Sequence, residues 1–103
     1  MKRTERIENM ERALDASAAA VKKLSEAMDE YEGAQKAIKS LFDYYGSALW
    51  MQDYEADEAG RLPEELKRGV LSEDAVYDLI TEHRELMARL SKAVTAALEK
   101  NML

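Results

Sequence analysis

Apolar residues step by three and four along the first half of the chain: Ile7, Met10, Leu14, Val21, Leu24, Met28, Tyr31, Ile38, Phe42, Tyr45 and Leu49, with Ser17 and Gln35 as two polar lapses in the same register. This spacing keeps one stripe of a 3.6-residue helix apolar, and its seven-residue repeat belongs to helices that pack on other helices at a shallow crossing angle. It predicts one long helix over residues 3–45. Glu8 with Arg12 and Glu32 with Lys36 have the favourable i, i+4 order away from that stripe and read as solvated surface. Gly33 lies inside the run, and a helical glycine costs about 1 kcal/mol relative to alanine, which can bend a helix without ending it. Unbroken, the helix would be about 65 Å long, whereas a compact domain of about 100 residues has a radius of gyration of about 13 Å. The expectation is a kink near Gly33, or a continuous rod whose apolar stripe a second chain covers.

The last third repeats the pattern through Val76, Leu79, Ile80, His83, Leu86, Met87, Leu90, Val94, Ala97 and Leu98. Ser72 is placed to cap it, with Glu73 and Asp74 complementing the positive helix start, so a second long helix is predicted over 73–102. It matches residues 3–32 in length, and the two are expected to pack antiparallel. Between them, Gly46 and Gly60 mark turns, and "SALWMQDYEADEA" is suited to a short helix with Trp50 and Tyr54 on one side. "LPEELKRG" reads as one or two further helical turns, with Pro63 at the first position and Gly69 as the stop. The expected fold class is therefore all-α, a helical bundle or coiled-coil-like single domain over 1–103.

Charge changes the picture once it is located. Residues 1–42 carry eight acids and eight bases, and residues 76–103 carry four of each, so the net charge of -6 falls entirely in residues 43–75. An acidic middle with no basic stripe elsewhere repels a phosphate backbone, which argues against nucleic-acid binding. The absence of cysteine excludes disulfides and thiolate metal sites. The charged opening "MKRTERIENM" and the lack of a long apolar run lead us to expect no signal peptide, no membrane span and a cytoplasmic location.

The acidic middle holds the candidate chemistry. Asp53, Glu55, Asp57 and Glu64 stand at positions 1, 3, 5 and 12 of a calcium-loop pattern, but Glu58 replaces the glycine needed at position 6 and Pro63 falls at position 11, so solvated acids in a connector are the better account. The one histidine, His83, has Ile80 three residues before it, which breaks the Glu-x-x-His pattern of di-iron bundles, and it reads as a packed residue of the last helix. No metal, cofactor or catalytic residue is expected. Five of the seven aromatics, Phe42, Tyr44, Tyr45, Trp50 and Tyr54, fall within residues 42–54. Rings with polar tips fill corners where helices meet, and they also make recognition surfaces. Buried rings with paired hydroxyls would mean a corner, and open rings beside acids would mean a site.

The run "DYYGSALWMQDYEADEAGRLPEELKRGVLSEDAVYDLI", residues 43–80, resembles the signature of a family of small bacterial helical proteins catalogued as a domain of unknown function. The resemblance implies an all-helical cytoplasmic protein and carries over no catalytic residue. Three readings follow. The first is a structural or protein-interaction module without catalytic activity, self-associating as a dimer through residual apolar surface. The second is a binding module in which Tyr44, Tyr45, Trp50, Asp53, Tyr54, Glu55 and Asp57 meet a basic protein or a cationic small molecule. The third is an enzyme using those carboxylates, which would require two of them converging in a pocket.

Overall fold

The computed structural model describes residues 2–103. Among them are three α-helices, α1 (Arg3–Tyr44), α2 (Ala48–Glu58) and α3 (Ala75–Glu99), one 3₁₀ turn at Gly69–Leu71, and no strand. The chain is all-helical with a long first helix, as the heptad spacing predicts. None of the described helices is long and apolar enough to cross a membrane.

Helix α1 runs unbroken through Gly33. One glycine removes about 1 kcal/mol from a segment otherwise rich in alanine, glutamate and lysine, which is too little to interrupt a helix with strong formers on both sides. Packing density divides the chain into two units, the first ending at Ile38 and the second comprising Lys39–Leu103. In the first unit the helix buries no residue. Its stripe stays open: Ile7, Met10, Leu14, Val21 and Leu24 are each 53–67% exposed. These are the positions that an antiparallel helix would cover.

The second unit contains the end of α1, α2, the connector, the 3₁₀ turn and α3. Gly46 turns the chain after α1 with a φ of +78°, and Ser47 then caps α2 by accepting a hydrogen bond from Trp50 N at 3.2 Å. At the other end of α2, Gly60 takes a φ of +69°, and Arg61 N donates to Ala56 O at 2.9 Å while Gly60 N donates to Asp57 O at 3.0 Å. That double closure is the Schellman stop, and it needs a residue at ease in the left-handed region. Asn101, at φ +57°, ends α3 the same way, with Met102 N donating to Ala97 O.

Two boundaries differ from the sequence reading. "LPEELKRG" forms no helix: Leu66 N donates to Pro63 O at 3.2 Å in a single turn, and Gly69 opens the 3₁₀ turn instead of ending a helix. A segment this short closes too few helical hydrogen bonds to repay nucleation. Helix α3 begins at Ala75, not residue 73, and ends at Glu99. Ser72 is still the residue that starts it, because its hydroxyl donates to Gly69 O at 2.8 Å and accepts from Ala75 N at 3.2 Å, tying the 3₁₀ turn to the helix.

The glycines separate in a stability test. No heavy atom lies within 4 Å of a methyl added at either Gly33 or Gly46, so conformation alone decides. Gly46→Ala, held at positive φ, is expected to destabilise the fold by about 1–2 kcal/mol, while Gly33→Ala in a regular helix is expected to stabilise it by about 0.5–1 kcal/mol. Urea denaturation of both variants followed at 222 nm checks the opposite signs.

Candidate functional site

The acidic aromatic segment is built on α2, whose helical period puts Trp50 and Tyr54 on one face. Trp50 is buried at 8% exposure, and its Nε1 donates to Val70 O at 3.0 Å. Its ring stacks on Tyr54, with centroids 5.3 Å apart and planes 20° from parallel, and meets Tyr45 edge-on at 5.1 Å. Such ring pairs contribute about 0.5–1.5 kcal/mol each beyond the area they bury. Among the described residues, Leu71 and Val76 are the other buried apolar side chains, and both belong to the same unit as the tryptophan.

The polar tips of the rings turn onto the chain itself. The Tyr45 hydroxyl donates to Glu73 O at 3.3 Å and the Tyr54 hydroxyl to Glu73 Oε1 at 3.2 Å, so Glu73, just ahead of α3, receives both. The Tyr44 hydroxyl donates to Asp53 Oδ2 at 2.5 Å. Asp57 accepts from Arg68 at 3.0 Å, linking α2 to the connector. Glu55, on the other side of α2, is exposed. Of the seven residues that the sequence singles out, six are thus joined to partners within the unit, and Glu55 alone has none of the contacts just described. Phe42 meets His83 edge-on at 5.4 Å, so the histidine packs on the apolar face of α3 where the spacing puts it.

Positions 1, 3 and 5 of the calcium-loop pattern fall on a helix and position 12, Glu64, in the connector. Asp53 and Asp57 lie one turn apart on one face, engaged by Tyr44 and Arg68, while Glu55 points away; a calcium loop instead wraps its ligands around the ion in irregular backbone. Among the described residues no three His, Asp or Glu side chains come together as a metal site would require. A shallow depression lined by Glu82, Glu85, Leu86 and Arg89 lies on α3 alone and includes none of the aromatics.

Hydrogen bonding leaves one titration signature. The Asp53 carboxylate accepting from the hydroxyl of Tyr44, together with burial and the carboxylate's charge, pushes that phenol up to about 12 from its usual 10. The charge of Glu58, followed by the hydrogen bond to Glu73, raises Tyr54 as well. A raised phenol keeps its proton in the folded state after the unfolded chain has lost it. Its stabilising contribution is therefore complete below pH 10 and is lost as pH rises from 10 to about 12. Absorbance at 295 nm is expected to show one tyrosine ionising near the top of that window, and Asp53→Asn is expected to bring it back toward 10.

Sequence reasoning missed the acceptors that fix the rings. Val70 O and Glu73 O are backbone atoms, which carry no residue-type signal, and Arg68 reads from sequence as a helix-terminal cation, not as the partner of Asp57. A cue was present in "GVLSED", where a glycine and a cap flank two apolar residues and so imply a tight turn with inward side chains.

An all-helical chain whose aromatic segment is closed onto its own backbone, and whose first helix presents an open apolar stripe, defines a small helical module. It belongs to the family described as Domain of unknown function (DUF4298), whose model matches residues 7–93. No curated protein matches the chain. The match takes in both units and the whole aromatic segment.

Proposed function

We propose that this protein is a structural or protein-interaction module without catalytic activity, acting in the cytoplasm and self-associating through the apolar stripe of α1. The observation that carries the reading is the exposure of Ile7, Met10, Leu14, Val21 and Leu24, all at heptad positions of one helix. Helical stability in proteins comes mainly from packing of the apolar face, and a stripe of this length left in water lacks that support. The acidic aromatic segment supports the same reading indirectly, since Trp50 is covered and Asp53 and Asp57 are bound to Tyr44 and Arg68 within the second unit.

The second reading, in which residues 43–58 bind a basic protein or a cationic small molecule, has less support. The Trp50 ring is covered and Asp53 and Asp57 are held by Tyr44 and Arg68, so a cation would meet Glu55 and Glu58 beside tyrosine rings that are only partly exposed. Association coupled to helix stability makes the melting temperature depend on concentration. Thermal unfolding followed at 222 nm is expected to shift upward by several degrees over a hundredfold increase in protein concentration. A melting temperature independent of concentration would count against self-association.

A further inference from the structure

We propose that the partner of α1 is α1 of a second copy, running antiparallel about a two-fold axis near residue 19; the proposal rests on the self-association reading and gives it a geometry. In that register Leu14 lies opposite Leu24 of the second copy, Met10 opposite Met28, and Ser17 opposite Val21, each contact occurring twice by symmetry. Gln35 falls at the rim of the overlap, opposite Arg3, and both polar ends stay at the water boundary.

The residues flanking the stripe fit a close approach. Ala13, Ala20, Ala27 and Ala34 recur at one flanking heptad position, and Ala18 and Ser25 at the other. The two-fold sets Ala20 beside Ala20 and Ala13 beside Ala27 of the second copy, so the backbones meet with no long side chain between them. An apolar face roughly 10 Å wide over an overlap ~50 Å long covers about 1,000 Å² for the pair, which reaches the size of a specific interface.

Charge selects the direction. Residues 2–6 carry Lys2, Arg3 and Arg6 against Glu5, whereas residues 29–32 carry Asp29, Glu30 and Glu32 with no base. Antiparallel pairing in this register lays residues 2–6 along residues 32–36 of the second copy, where Glu32 offsets Lys36, and residues 29–32 along residues 6–9, where Arg6 offsets Glu8, so neither charged end meets its own kind. Parallel pairing sets the two acidic segments side by side and the two basic starts together.

The chain has no cysteine, so a single labelling site can be introduced cleanly. Glu8 is exposed and away from the stripe, and Glu8→Cys carrying a nitroxide can be measured by pulsed dipolar spectroscopy alongside the molar mass of the same sample. Antiparallel pairing in this register places the two labels ~35 Å apart, from a rise of 1.5 Å per residue and the usual helix separation. A dimer with labels within ~15 Å is parallel and overturns the orientation while leaving self-association standing. A dimer with no distance below ~60 Å associates through another face and overturns the pairing. A monomer overturns both. As an independent check, Ala20→Cys is expected to form a disulfide-linked dimer on mild oxidation, since the two-fold brings that position beside its own copy.

Discussion

Trp50→Ala is expected to destabilise the second unit by about 3–5 kcal/mol, the range for removing a large buried ring. The substitution removes the stack on Tyr54, the edge contact with Tyr45 and the Nε1 hydrogen bond to Val70 O together, and it leaves a cavity where a buried ring stood. Small domains hold only about 5–15 kcal/mol in total, so this loss brings the unit close to unfolding. Trp50→Phe separates the contributions: it keeps a ring but leaves Val70 O without its donor, for an expected cost of about 1–3 kcal/mol. Urea denaturation at 222 nm, with the near-ultraviolet signal of the tyrosines as a second probe, measures both. If Trp50 were mainly a ligand contact, the alanine variant would keep most of its stability, so a loss under about 1 kcal/mol would contradict the structural role given to the ring.

The second large effect belongs to the open stripe. Leu14→Glu with Leu24→Glu places four carboxylates in the two layers that straddle the centre of the proposed pair. Removing even two leucines from a buried seam forfeits about 3 kcal/mol or more, and each 1.4 kcal/mol weakens association about tenfold. Self-association is therefore expected to weaken more than about a hundredfold. Because an isolated helix draws little stability from propensity alone, the helical signal of α1 is expected to fall as the dimer is lost. The tryptophan environment, which lies in the second unit, is expected to stay unchanged. That combination distinguishes loss of an interface from general unfolding.

The heptad spacing made α1 and α3 legible to within a few residues, because a period of three and four over many turns has one physical solution. The turns at Gly46 and Gly60 and the cap at Ser72 were legible for the same kind of reason, since each residue type is selected by a specific backbone need. "LPEELKRG" misled because Pro63 and Gly69 have the chemistry of helix ends, whereas too few residues lie between them for a helix to form. Burial of Trp50, and the half-covered state of the other four rings, was not legible. Phe42, Tyr44, Tyr45, Trp50 and Tyr54 have the composition of either a core or a binding surface, and the deciding contacts are backbone acceptors twenty or more residues away in the chain, at Val70 and Glu73.

Sedimentation equilibrium of the unmodified chain tests self-association through α1 most directly. The weight-average mass is expected to rise with concentration from the monomer's 11.7 kDa toward twice that value, and to stay at the monomer value for the Leu14→Glu, Leu24→Glu variant over the same range. A mass of 11.7 kDa for the unmodified chain at every concentration up to ~100 μM, or a dimer that the two substitutions leave intact, would contradict it.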